Sequence, residues 1–61
     1  MNLTVKESGL LKDLKGQEQL CIDKYTKYAS DAKASELKNL FSDMAQTERE
    51  HLKTITDMMN G

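Results

Sequence analysis

The chain has no proline and no tryptophan, a single cysteine, and only two tyrosines and one phenylalanine. Without proline, nothing forces a break inside a helix. With one cysteine, no disulfide can form within the chain, so the fold cannot be stapled that way. Gly9, Gly16 and Gly61 lack the spacing of a phosphate-cradling loop. Apolar runs stop at two or three residues, far short of the roughly 20 that a membrane-crossing helix requires, and short of a secretory signal core. Neither sign of charge dominates. Nine basic residues are interleaved with ten acidic ones for a net charge of -1, which gives no basic patch for nucleic acid. The expectation is a cytoplasmic chain with neither nucleic acid nor membrane as a partner.

What is present is 61 residues, 38% apolar and 31% charged. A chain this short buries too small a share of its surface to hold a stable monomeric core comfortably. With disulfides excluded, a metal or a second subunit is the remaining support.

The apolar residues fall on two seams. Leu11, Leu14, Glu18, Cys21, Tyr25, Tyr28 and Ala32 recur at three-four spacing, and so do Leu37, Phe41, Met44, Glu48, His51, Ile55 and Met58. That rhythm puts each set on one helical face. Leu10, Ile22 and Ala29 widen the first face; Leu40, Ala45, Leu52 and Met59 widen the second. Opposite positions, Arg49 and Glu50 among them, are polar, with Leu20 the clear exception. The reading is all-α: a two-helix antiparallel hairpin with helix 1 at about 5–32, a turn at about 33–35 and helix 2 at about 36–59. Stripes this wide suit a four-helix bundle made by homodimerisation or a higher homo-oligomer. Thr4 with Glu7 has the spacing of a capping box, Ser35 is expected to cap the second helix, and Asn60 and Gly61 to close it.

Three seam positions are polar where leucine or isoleucine would serve: Glu18, Glu48 and His51. When the chain is folded between Ala34 and Ser35, facing residues have numbers summing to 69. Glu18 then meets His51, Cys21 meets Glu48 and Tyr28 meets Phe41. The misfits share a level roughly 24 Å from the turn at 1.5 Å per residue. A dimer would gather four carboxylates and two imidazoles there, at a cost of several kcal/mol per ion unless they are compensated. Two divalent cations would compensate them. Glu48-x-x-His51 with Glu18 opposite, taken twice, is the ligand set of a di-metal carboxylate bundle. Mixed oxygen and imidazole donors suit iron, manganese or zinc, two ions per dimer. A metal-free layer of Glu18 paired with protonated His51, or of protonated carboxylates, uses the same residues. Cys21, Tyr25 and Tyr28 read as core residues beside this layer.

The stretch from Glu18 to Ile55, above all Glu18–Tyr25, Glu36-Leu-Lys-Asn-Leu-Phe41 and Glu48-x-x-His51, resembles the spore coat protein F-like family, a branch of the ferritin-like helical proteins. The resemblance implies an antiparallel helical bundle, an association with spore-forming bacteria, and other spore coat proteins as partners. It also implies metal-ligand roles for Glu18, Glu48 and His51. Ferritin-like proteins usually carry two such sets on four helices, whereas one set is present here, so a full site requires a second chain. A cysteine-rich electron-transfer segment of the rubrerythrin type is not seen. The expected function is structural, in assembly, with the metal layer held across a dimer. A di-iron or di-manganese oxidoreductase acting on oxygen or peroxide, or a metal-storage module, is the alternative.

Overall fold

A computed structural model describes all 61 residues. It contains two helices and no strand: α1 spans Val5–Asp31 and α2 spans Ser35–Asn60. The start of α1 is fixed by its sequence. Glu7 N–H donates to Thr4 Oγ1 at 3.0 Å, and Thr4 N–H donates to the Glu7 carboxylate at 2.9 Å. These reciprocal bonds satisfy two of the donors that a helix start leaves free. They also hold the Glu7 carboxyl below its usual range, chiefly through the bond from the Thr4 backbone.

The turn closes differently from expectation. Ala34, not Ser35, is the N-cap of α2, and no side chain caps it. Ser35 is already helical. The Ala34 carbonyl instead accepts from Leu37 N–H at 3.1 Å and Lys38 N–H at 3.0 Å. Lys38 takes a role that was not foreseen. Its ammonium donates back across the turn to the carbonyls of Ala29 at 3.1 Å and Ser30 at 3.4 Å. The last turn of α1 has no basic residue of its own, so α2 supplies the cation that a helix C-terminus favours.

The helices pack antiparallel in a body of 45 × 15 × 11 Å. The expected register appears where rings meet: Tyr28 and Phe41 lie edge to face, 5.3 Å between centroids, and Tyr25 meets Tyr28 in the same edge-on manner at 6.2 Å. Only Ile22, Ala45 and Ile55 are buried. Two of these, Ile22 and Ala45, were placed on the flank of the stripe, whereas Leu14, Tyr28, Leu37 and Met58 from its centre line are exposed. The hairpin therefore closes on one side of the stripe and leaves the other open. At about 100° per residue, Leu10, Leu14 and Tyr28 of α1 lie some 80–120° from Ile22, all turned the same way. Leu40 and Met58 of α2 lie about 140° from Ala45. In an antiparallel pair these offsets bring both sets to one common face.

Candidate metal centre

Glu18, Glu48 and His51 come together. Glu18 stands near the middle of α1; Glu48 and His51, one turn apart, stand near the middle of α2. His51 Nδ1 lies 3.4 Å from Glu18 Oε2 and 3.6 Å from Glu48 Oε2. The donor atoms of all three lie within 4.8 Å of one another. Cys21, one turn beyond Glu18, is half-buried with a free thiol. Glu50, only one position from His51, is exposed on the outer surface.

Burial is unequal in a telling way. The side chains of Glu18 and Glu48 are 14% and 21% exposed, while the His51 imidazole is 56% exposed. The carboxylates sit against the hairpin contact and the imidazole at the lip of the open face. Glu18 Oε2 is shut off from water, and no donor in the hairpin gives it a hydrogen bond. The Glu48 carboxyl is in reach but can bond to it only by sharing a proton. That bond, then burial, then the Glu48 charge push the Glu18 carboxyl above its ordinary 4.5, with His51 opposing.

A buried acceptor without a donor carries a free-energy cost. A proton can relieve it, and so can a cation. Ligand atoms on one ion, at about 2.0–2.2 Å each, stand roughly 3–4 Å apart, and both imidazole–carboxylate spacings already fall in that interval. The donor set, two carboxylates and one imidazole, therefore fits a divalent transition metal. Three donors leave coordination incomplete, on the side that faces out of the hairpin.

Set against known proteins, residues 12–61 match the family model of rubrerythrin. No curated protein and no solved structure matches the chain significantly. The match carries the ferritin-like reading of both helices; the narrower resemblance to spore coat protein F gains no support from it.

Proposed function

The chain belongs to the rubrerythrin family, and from that premise we propose that it is half of a ferritin-like di-metal bundle, completed by a second copy of itself. Each copy contributes Glu18, Glu48 and His51. The observation that carries this reading is the unpartnered Glu18 Oε2 beside two further donors, on a hairpin whose apolar face lies open on the imidazole side. Two cations would balance the four carboxylate charges, supplying the positive charge that makes such a layer affordable inside a bundle. The chain's own residues do the rest. Glu18 and Glu48 are held rigidly at mid-helix, and His51 reaches the lip of the open face.

We assign the metal a structural use, locking two hairpins into one bundle, and iron, manganese and zinc all satisfy the donor chemistry. Oxidation chemistry with oxygen or peroxide would use the same six ligands if the metal is iron or manganese. A place among spore coat proteins rests on the resemblance of the helical segments alone. The deciding experiment is elemental analysis and thermal melting of untagged protein, with chelator and with iron(II), manganese(II) or zinc(II). One metal ion per chain, with melting raised by that metal, is expected. Melting that ignores all three metals would overturn the reading.

A further inference from the structure

Interleaved along the chain, the charges separate once the two helices pair. At about 100° per residue, Lys12 and Lys15 of α1 lie about 20–80° from Ile22. Lys38, Arg49 and Lys53 of α2 lie about 20–80° from Ala45. In each helix the turn is away from the open apolar face, and all five cations are exposed. Two of them bridge the helices on this back face: Arg49 donates to Thr26 Oγ1 at 3.4 Å, and Lys38 to the Ala29 and Ser30 carbonyls. One carboxylate stands among them, Asp23, which accepts from the Gln19 amide at 3.0 Å. The back face is therefore basic in a chain whose net charge is -1.

The opposite sign gathers elsewhere. Glu36, Asp43, Glu50 and Asp57 recur every seven residues and form one stripe along the outer edge of α2, about 120–180° from Ala45 and turned away from α1. All four are exposed. Within α2 only Lys53 borders them, and its ammonium holds Asp57 at 2.8 Å. Glu36, Asp43 and Glu50 have no ionic partner, and neither do Lys12, Lys15 and Arg49. The outer flank of α1 is mixed, with Lys6, Lys24 and Lys27 among Asp13 and Asp31, and complements neither surface. The two single-sign surfaces match in length. The acidic stripe runs about 32 Å at 1.5 Å per residue, and in the register of the hairpin the cations from Lys12 to Lys38 span about 28 Å. A hairpin cannot lay its own edge on its own back, so the two surfaces meet only between copies.

We propose that the acidic edge of α2 docks on the basic back face of a neighbouring copy, so that bundles associate beyond the dimer. Neither surface belongs to the open apolar face, and the contact leaves that face free to close over the Glu18–Glu48–His51 layer. Because the two surfaces differ, the contact is heterologous and repeats from copy to copy unless it closes in a ring. Its size sets its strength. A strip about 30 Å long and one helix of about 10–12 Å wide buries roughly 350 Å² per copy, or about 700 Å² in all, below the range of a stable interface. The attraction is between exposed charges and weakens with salt. A dimer, however, offers two edges and two back faces, and linked contacts reinforce one another. The proposal rests on the shared-centre reading for that bivalence and goes beyond it in naming a second interface.

Sedimentation of the full chain is the test. In about 10 mM salt, where charges act over about 30 Å, the mean mass should be at least about twice that in about 1 M salt, where they act over about 3 Å. In high salt the dimer should remain. Dimers alone in both salts would overturn the proposal and leave the shared centre standing; monomers in both would overturn both. Reversing one surface at a time identifies the contact. Lys15→Glu with Arg49→Glu should abolish the low-salt assembly, and so should Asp43→Lys with Glu50→Lys. Mixed in equal amounts, the two double variants should assemble again, because each then meets a surface of opposite sign. Lys6→Glu with Lys27→Glu makes the same change of net charge on the outer flank of α1 as the back-face variant does, and should retain assembly. Equal loss in that variant, or no recovery in the mixture, would refute the contact. A parent that stays dimeric in low salt yet binds a single-stranded oligonucleotide through Lys15 and Arg49 would give the back face to nucleic acid and overturn the proposal.

Discussion

On the closed half of the apolar stripe, Ile22, Ala45 and Ile55 are 7%, 2% and 5% exposed, whereas on the open half Leu10, Leu40 and Leu14 are 59%, 50% and 43% exposed. The two halves are made of the same kind of residue. They differ in having a neighbour. The hairpin satisfies one half internally, and the Glu18–Glu48–His51 layer straddles the boundary, its carboxylates on the closed side and its imidazole on the open one. One stripe is thus wide enough for two contacts, of which the hairpin makes one, and its width, not its hydrophobicity, is what distinguishes half of a bundle from a self-sufficient hairpin.

The largest effect that could break this comparison is a cavity on the closed half. Ile55→Ala or Ile22→Ala should cost about 2–5 kcal/mol and lower melting at every protein concentration. Leu40→Glu, on the open half, should leave the helices of the monomer intact but abolish the concentration dependence of melting, because it puts a charge into the interface. Sedimentation and circular dichroism distinguish the two. If Leu40→Glu remained a dimer, the open half would not be the interface.

Next comes the layer at the boundary. Glu18→Leu should lower metal content and remove the stabilisation that metal gives, about 2.7 kcal/mol at a hundredfold excess over the dissociation constant. Without metal the same change replaces a largely covered carboxylate, whose Oε2 has no hydrogen-bond partner, by an apolar side chain, and stability should hold or rise. Glu18→Leu with His51→Leu controls for an ion pair between them, since it strands neither. Titration with each metal, followed by melting, reads both signs. A Glu18→Leu protein that binds metal as the parent does would remove Glu18 from the site.

The sequence made some of this legible and concealed the rest, for identifiable reasons. The contact between Glu18 and His51 and the ring pair Tyr28–Phe41 follow from two seams sharing one register, which spacing reports directly. The Thr4–Glu7 box is equally local. Which half of the stripe closes is not local: a helical wheel gives a face its width but not the direction of its neighbour. Ala45 and Ala29, too small to stand out among leucines, lie near the line where the helices meet, and a small side chain permits close approach. Lys38 was invisible for the same reason, since its partners are carbonyls of the other helix. Ser35 misled because a good capping residue stood one position inside the actual helix start.

A smaller effect belongs to the helix start, remote from both halves. Thr4→Ala should cost about 1 kcal/mol, read as frayed helix at low temperature. It should also remove a pH dependence. The Glu7 carboxyl is lowered from 4.5 in the folded chain, so the unfolded chain binds more protons in that range. The cap's contribution is therefore full above about 4.5 and is lost as pH falls through the lower folded value. Melting of the parent between pH 2 and 5 should be steeper than that of Thr4→Ala; parallel curves would mean that the Glu7 shift does not come from the cap.

The smallest expected effect sharpens the comparison most. Glu50 lies between the two residues Glu48-x-x-His51 brings together in sequence, yet two positions along a helix turn the side chain about 200° away from Glu48. Glu50 is exposed, its carboxylate makes no ion pair, and the Thr54 hydroxyl donates only to its backbone carbonyl, at 3.2 Å. Glu50→Ala should therefore change stability by no more than about 0.5 kcal/mol and leave metal stoichiometry and dimerisation as they are. Glu48→Ala, two residues earlier, should lose metal. The pair of variants fixes the rotation of α2 about its axis, and with it the identity of the open face. Were Glu50→Ala to lose metal while Glu48→Ala kept it, α2 would present its other side. Leu40 and Met58 would then point away from the centre, and no packing of two such hairpins could close over the layer.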